Sequence, residues 1–327
     1  MIITKTPMRI SIGGGGTDLP SFYKKFGSKF ISAAIDKYIY VILQERKYYK
    51  EFLIKYSRTE TTPYVSEVKN EIIRECLKYM KILKPLEIIS MSEIGGETGL
   101  GSSGAFTVGL LNALHTFKRE LVSQEQLAEE ACHIAIDILK QPSGKQDEFI
   151  ASFGGVTKFS IDKKGKVKVY LNEFDEIFIR ELEHYLYMFF TGIRRKSNII
   201  LSYQKKATDI NNKLIIDNLK SIQQLGLEIE KSLKDRNSKN FGELMHKHWL
   251  LKKSRAKTTN LKIDKWYEIA VKNGSVGGKI MGAGGGGFFL FYCDQNAPNL
   301  IQVLEKNKLQ HIPFNFDYQG SRVIVNF

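Results

Sequence analysis

The chain has 327 residues, is 43% hydrophobic and 26% charged, and sets 49 lysines and arginines against 35 acidic residues, a formal net charge of +14. That length suits one large or two medium globular domains, and its longest apolar runs, such as Tyr38 to Leu43, are far too short to span a bilayer. A basic surface suits anionic ligands or nucleic acid, but the densest basic stretch, 247–265, carries no RNP, zinc-finger or other nucleic-acid signature, so neither a nucleic-acid nor a membrane partner is expected.

In chain order, Ile10 to Ile12 and Phe30 to Gln44 read as strands, the second rich in β-branched and aromatic residues. Ser66 to Leu83 has a helical pattern stopped near Pro85, and Leu86 to Ser90 is a short apolar strand. The glycine-rich segment Gly95 to Gly104 runs directly into an amphipathic helix, Ala105 to Glu120. A second helix, Ser123 to Leu139, opens with a capping-box pair, Ser123 and Gln126, and breaks at Pro142-Ser143-Gly144. Val156 to Ser160 and Val167 to Leu171 form a hairpin around Lys163-Lys164-Gly165. The pattern changes over 172–183, after which Tyr185 to Phe190 is a buried strand. The rest is helical until strands return at Phe288 to Tyr292 and near Val323 to Phe327. These blocks predict two closely packed α+β lobes, 1–175 and 176–327, with a site in the cleft between them. The first residues, MIITKTPMRI, lack a signal-peptide pattern, and Cys76, Cys132 and Cys293 have neither metal-site nor disulfide spacing. A reduced, cytoplasmic protein is the expectation.

Glycine lets backbone amides turn toward an anion, and a following helix N-terminus adds partial positive charge. Gly95 to Gly104 therefore reads as a phosphate loop. It lacks the lysine of a Walker A loop. Gly99, Gly101 and Gly104 match GxGxxG, but the acidic residue at dinucleotide spacing, Glu120, ends a helix rather than a strand, so the dinucleotide reading fails on context. Two more glycine runs flank it: Gly13 to Gly16, followed by Thr17-Asp18, and Gly284 to Gly287, preceded by KIMGA and followed by FFLFY.

Three such runs in this order, with GLGSS at the core of the second, resemble the GHMP kinases over nearly the whole chain. GGGGTDLPSFY, GKQDEFIASFGG and TGIRRKSNIIL look most like the branch acting on D-glycero-D-manno-heptose 7-phosphate. The resemblance implies a two-lobed GHMP kinase fold, with a ribosomal S5 domain 2-like first lobe and a ferredoxin-like second. It also implies ATP and Mg²⁺ as cofactors, and phosphorylation of the anomeric hydroxyl to a 1,7-bisphosphate used for nucleotide-activated heptose and surface polysaccharide. Other sugars, mevalonate-type alcohols and a catalytically inactive ligand sensor remain alternatives.

By residue, the resemblance puts ATP on Glu97, Gly99, Leu100, Gly101, Ser102, Ser103 and Gly104, with Ser103 also on the metal. Either serine could instead cap the helix. The family's metal glutamate falls at Ala135, a departure that leaves Asp137, then Glu130, or only phosphates and water, to complete the site. Asp147 is the expected catalytic aspartate, or alternatively a helix cap. Arg9 is its expected charge-stabilising partner, or alternatively a surface ion pair. Gly15, Gly16, Thr17, Asp18, Gly284 and Gly285 are expected at the substrate. Gly15-Gly16 replaces the Glu-His of galactokinases, which argues for a wider pocket. In Arg194-Arg195-Lys196, Arg194 is the favoured seat for a substrate phosphate, with a solvated charge run as the alternative. The six histidines form no zinc pattern.

Overall fold

The computed structural model describes residues 1–194, 197–255 and 260–327. The first half runs β1 (Ile2–Gly13), α1 (Pro20–Phe26), β2 (Ser28–Glu45), β3 (Phe52–Lys55), β4 (Thr59–Thr62), α2 (Glu71–Tyr79), β5 (Leu86–Ser92), α3 (Ser102–Lys118), α4 (Gln124–Cys132), α5 (Gln146–Phe153), β6 (Val156–Ile161) and β7 (Val167–Tyr170). The second runs α6 (Glu176–His184), β8 (Leu186–Phe190), α7 (Ser197–Asp209), α8 (Lys213–Lys234), α9 (Ser238–Lys253), α10 (Leu261–Lys272), β9 (Gly277–Ile280), β10 (Phe288–Tyr292), α11 (Ala297–Lys306), β11 (Gln310–Ile312) and β12 (Arg322–Asn326). Among the described residues no helix is long and apolar enough to cross a membrane.

The 18-residue β2 organises the first sheet by splitting its partners along its length. Ser28 to Ala33 pairs with β6, while Ile39 to Glu45 pairs with β5, both antiparallel. The sheet order is β12-β1-β2-β5-β3-β4, with β6 also on β2 and β7 on β6. The helix α3 packs across β1 and β2 and is flanked by α2, α4 and α5. Every residue from Gly104 to His115 is buried, as expected of a helix apolar on nearly every side. Its N-terminus is thereby pinned at the edge where the lobes meet.

The second sheet, β11-β8-β10-β9, is antiparallel throughout. Its core is aromatic: Trp249 stacks on Tyr267 at 4.4 Å, beside Phe289 and Phe291. The two-lobed α+β architecture expected above is present. One strand crosses the expected division: β12 pairs with β1, so the last strand of the chain completes the first sheet.

Four local expectations are corrected. The helix expected over 66–83 is a 3₁₀ turn, Val65–Glu67, followed by α2, because the Asn70 side chain accepts from Ile73 N at 3.1 Å and starts a new helix. The helix expected over 123–139 is α4, capped as expected by Ser123 Oγ accepting from Gln126 N, and then a π-helical segment, His133–Ile138. The unassigned stretch 172–183 holds α6, capped by Asp175 accepting from Phe178 N at 2.8 Å. The short strands β3, β4, β9 and β11 carry no clear alternation and were not expected.

Candidate active site

The first two glycine runs and the segment just ahead of the third converge on one cleft of about 430 Å³ between the lobes. On one wall, α3 begins at Ser102, with Gly101 as its cap in the left-handed region (φ 74°) and no side-chain cap bond. The first-turn amides of α3 are therefore open to an anion. The hydroxyls of Ser102 and Ser103 are not spent as caps, and both residues line the cleft with Glu97, Gly99 and Gly104. Leu100 is different: its side chain is wholly buried, and its carbonyl accepts from Arg9 N at 3.0 Å, fastening the loop to β1. A side chain on Gly101 would meet Arg9 Cγ at 3.1 Å and Asp147 Cγ at 3.2 Å, so glycine there leaves room for the pair behind it.

That pair is the centre of the site. Asp147 Oδ1 accepts from Arg9 Nε at 2.7 Å and lies 2.6 Å from Nη2, while Arg9 Nη1 donates to Gly99 O at 2.6 Å. Arg9 is only 6% exposed, so it is no surface ion pair. Asp147 is no cap either: α5 is capped at Lys145, and Asp147 sits inside the first turn. The guanidinium thus ties the phosphate loop to the aspartate.

Asp18 lies on the same cleft, its carboxylate accepting from Gly16 N at 3.0 Å and Gln146 N at 3.1 Å. Burial, followed by repulsion from Asp147, raises its pKa above the ordinary carboxylate value. Gly15 and Gly16 also line the cleft, but Thr17 is buried, with Oγ1 donating to Gly14 O at 2.8 Å and 2.6 Å from Ser28 Oγ. It shapes the turn and does not face the cleft. The expected widening beside Gly15-Gly16 is also corrected. The space beyond Gly15 belongs to Ser11 Oγ, and that beyond Gly16 to Gln204 and Arg255.

The remaining expectations fall outside the cleft. Asp137 lies on the π-helical segment, its side chain 62% exposed and 2.9 Å from His133 Nδ1, at a separate depression. Glu130 is held by His115 Nε2 at 2.7 Å. Arg194 is exposed, its guanidinium against the backbone of Gly95, and Arg195 and Lys196 lie outside the described residues. Gly284 and Gly285 are displaced from the lining by their neighbours Met281, Gly282 and Ala283.

Two groups absent from the sequence reading complete the cleft. Glu148, next to Asp147, is 2% exposed, and its Oε2 has no partner among the described residues. Burial and the charge of Asp147 push its pKa up to about 8. Ala135, Ser103 and Thr107 line the same cleft. Such an orphaned, buried oxygen suits a hard cation, and Mg²⁺ needs only one or two carboxylates besides phosphate and water. Ser103 and Glu148 thus fit a Mg²⁺ ion, whereas Asp137 does not. Opposite stand His248, Lys252, Arg255 and Lys279 from the second lobe. Burial lowers the pKa of all four, to about 10 for Arg255 and about 7 for Lys279. For the first three the sequence signal was the spacing 248, 252, 255, one face of a helix, inside the dense basic stretch 247–265.

Comparison with known proteins agrees with this geometry. The GHMP kinases N terminal domain matches residues 64–155, and the GHMP kinases C terminal domain matches 229–309. The chain is 26% identical to D-glycero-alpha-D-manno-heptose 7-phosphate kinase of Campylobacter jejuni, over 98% of this chain and 97% of that one. It is also 26% identical to mevalonate kinase of Methanothermobacter thermautotrophicus, over 85% and 87%. Its fold superposes on a D-glycero-D-manno-heptose 1-phosphate kinase from Bacteriodes thetaiotaomicron with a TM-score of 0.81 at 19% identity, covering 100% of both chains. It superposes on Lactococcus lactis galactokinase in complex with galactose at 0.76 and 18%, covering 98% and 94%. With both domains matched in order along the chain, it belongs to the GHMP kinase family.

Proposed function

We propose that this protein is an ATP- and Mg²⁺-dependent sugar kinase that phosphorylates the anomeric hydroxyl of D-glycero-D-manno-heptose 7-phosphate. The product would be the 1,7-bisphosphate from which nucleotide-activated heptose for surface polysaccharide is made. The observation that carries the reading is the Arg9–Asp147 pair, set between the open N-terminus of α3 and the buried carboxylate of Asp18. The Campylobacter jejuni relative supports the choice of sugar.

In this reading the amides of 101–104 hold the triphosphate, and Asp18 accepts hydrogen bonds from the sugar hydroxyls. Asp147 takes the proton of the attacking hydroxyl, or orients it, since phosphoryl transfer depends chiefly on positioning and charge stabilisation. Arg9, already bonded to Asp147 and Gly99 O, holds that carboxylate in place and faces the charge that builds on the transferring phosphoryl group. Ser103 and Glu148 would hold the Mg²⁺, which supplies charge neutralisation of the phosphates when bound.

The test is ATP consumption with Mg²⁺ against heptose 7-phosphate, mannose 6-phosphate, galactose, fucose and mevalonate. Turnover confined to the heptose phosphate is the expected result. Faster turnover of a neutral sugar or of mevalonate would reassign the substrate. Nucleotide binding without turnover of any of them would make the chain a ligand sensor.

A further inference from the structure

Lys279 stands at the head of the third glycine run, 2% exposed, and its Nζ donates to Ile12 O at 2.8 Å, just before the first run. Among the described residues it makes no ion pair, and the charge nearest in effect is the like charge of Arg9. His248 on α9 is 3% exposed, and neither ring nitrogen has a hydrogen-bond partner among the described residues. One turn further along, Lys252 Nζ donates to Ile280 O at 2.7 Å and to Gly282 O. Past the end of α9, Arg255 Nη1 donates to Gln204 Oε1 at 2.9 Å, and Gln204 Nε2 donates to Gly16 O at 2.8 Å. All four residues line the cleft.

Burying Lys279 without an ion pair among the described residues, beside a His248 ring with neither nitrogen bonded, is costly unless an anion joins them. A backbone carbonyl offsets part of that cost for Lys279, but it carries no net charge. A phosphate dianion does, and it also offers acceptors for the His248 ring. We infer that His248, Lys252, Arg255 and Lys279 form the seat for the phosphate that the acceptor sugar already carries, in place of Arg194. This rests on the phosphosugar kinase reading above.

An anion here could also be a phosphate of the nucleotide. The ties favour the acceptor. Arg255 reaches the sugar-side turn through Gln204 and Gly16, and Lys279 reaches it through Ile12, whereas the open amides of α3 lie across the Arg9–Asp147 pair. Gly16 has a further part. With φ at +93° and no side chain, it leaves the Arg255 guanidinium 3.7 Å from where a Cβ would stand.

Isothermal titration of wild type, Lys279→Gln and Arg255→Gln tests the inference with four probes: heptose 7-phosphate, the same sugar without its phosphate, a non-hydrolysable ATP analogue, and inorganic phosphate. The phosphorylated sugar should bind wild type about ten-fold or more tighter than the neutral one, the worth of one charge-assisted bond. Both variants should lose that margin while holding the analogue within about three-fold of wild type. An intact margin in the variants overturns the inference. An equal loss for the analogue also overturns it and gives the cluster to the nucleotide. Inorganic phosphate separates this inference from the substrate assignment. Phosphate binding that is lost in both variants, with neither sugar bound, would keep the anion seat and discard the heptose. No binding of phosphate or phosphosugar to wild type would discard the seat. Should Lys279→Gln not fold, Arg255→Gln, only partly buried, carries the same comparison.

Discussion

Replacing Glu148 by glutamine separates a metal ligand from a merely tolerated buried acid, because the two readouts move in opposite directions. Oε2 of Glu148 is buried without a partner, and leaving such an oxygen unsatisfied costs about 1–3 kcal/mol. Burial raises its folded-state pKa from the usual 4.5 to about 8. Between those values the folded chain keeps a proton that the unfolded chain has lost, so this group makes stability fall as pH rises across that window. Glu148→Gln removes the titration. The variant should therefore gain stability over wild type as pH rises from about 4.5 to 8, by up to about 4 kcal/mol at the upper end, read from urea unfolding at several pH values. Metal affinity should move the other way. Titrated with Mn²⁺ in the presence of a non-hydrolysable ATP analogue and followed by electron paramagnetic resonance, Glu148→Gln should bind about ten-fold or more weakly. Asp137→Asn, exposed and outside the cleft, should bind like wild type. Unchanged Mn²⁺ affinity in Glu148→Gln, or a loss confined to Asp137→Asn, would refute the assignment.

Asp147→Asn keeps the shape of the carboxylate but removes its charge, and should lower kcat by about 10²–10⁴-fold with analogue binding little changed; turnover within a few-fold of wild type would remove Asp147 from the chemistry. A methyl group on Gly144 would overlap the Asp18 carboxylate, so Gly144→Ala should displace it from Gln146 N. The expected cost is about 1–3 kcal/mol of stability and a raised sugar KM, measured by denaturation and initial rates. His115 is held between Glu130 and Glu120, and its bond to Glu130 raises its pKa above 6.5. The stability this adds is complete below pH 6.5 and is lost as pH rises through the raised value. His115→Gln should therefore flatten that part of the thermal-stability profile; an unchanged slope would show that the ring is neutral in the fold.

What the sequence made legible was local. Each glycine run sits beside a strand or helix whose pattern spans a few residues, and Ser123 and Gln126 announce their cap three positions apart. Asp147 and Arg9 were readable because their motifs are contiguous. Glu148 was not, since only the packing of α5 against α3 decides whether its carboxyl meets solvent or the cleft. Asp137 misled for a related reason: a π-helical turn has no side-chain signature, yet it rotates the residues that follow, leaving Ala135 on the cleft and Asp137 in solvent. The face formed by His248, Lys252 and Arg255 reads as charge along the chain. Only the fold shows that His248 and Lys252 are buried there, with Lys279 of β9 lining the same cleft. The return of β12 to β1 likewise depends on a pairing that no local pattern encodes.

At two points the lobes meet as bare backbone. A side chain on Gly99 would strike Met281 O at 2.9 Å, and one on Gly226 of α8 would strike Gly14 N at 2.9 Å. Contacts of this kind have no rotamers to adjust, so a neighbour cannot rescue a substitution there. In the proposed reading, specificity is carried elsewhere, by long side chains such as Arg255 and Gln204 that reach in from the second lobe. The chain thus keeps assembly and substrate choice on different residues. Directed evolution toward a new acceptor can explore the second set freely while the seam between the lobes stays untouched.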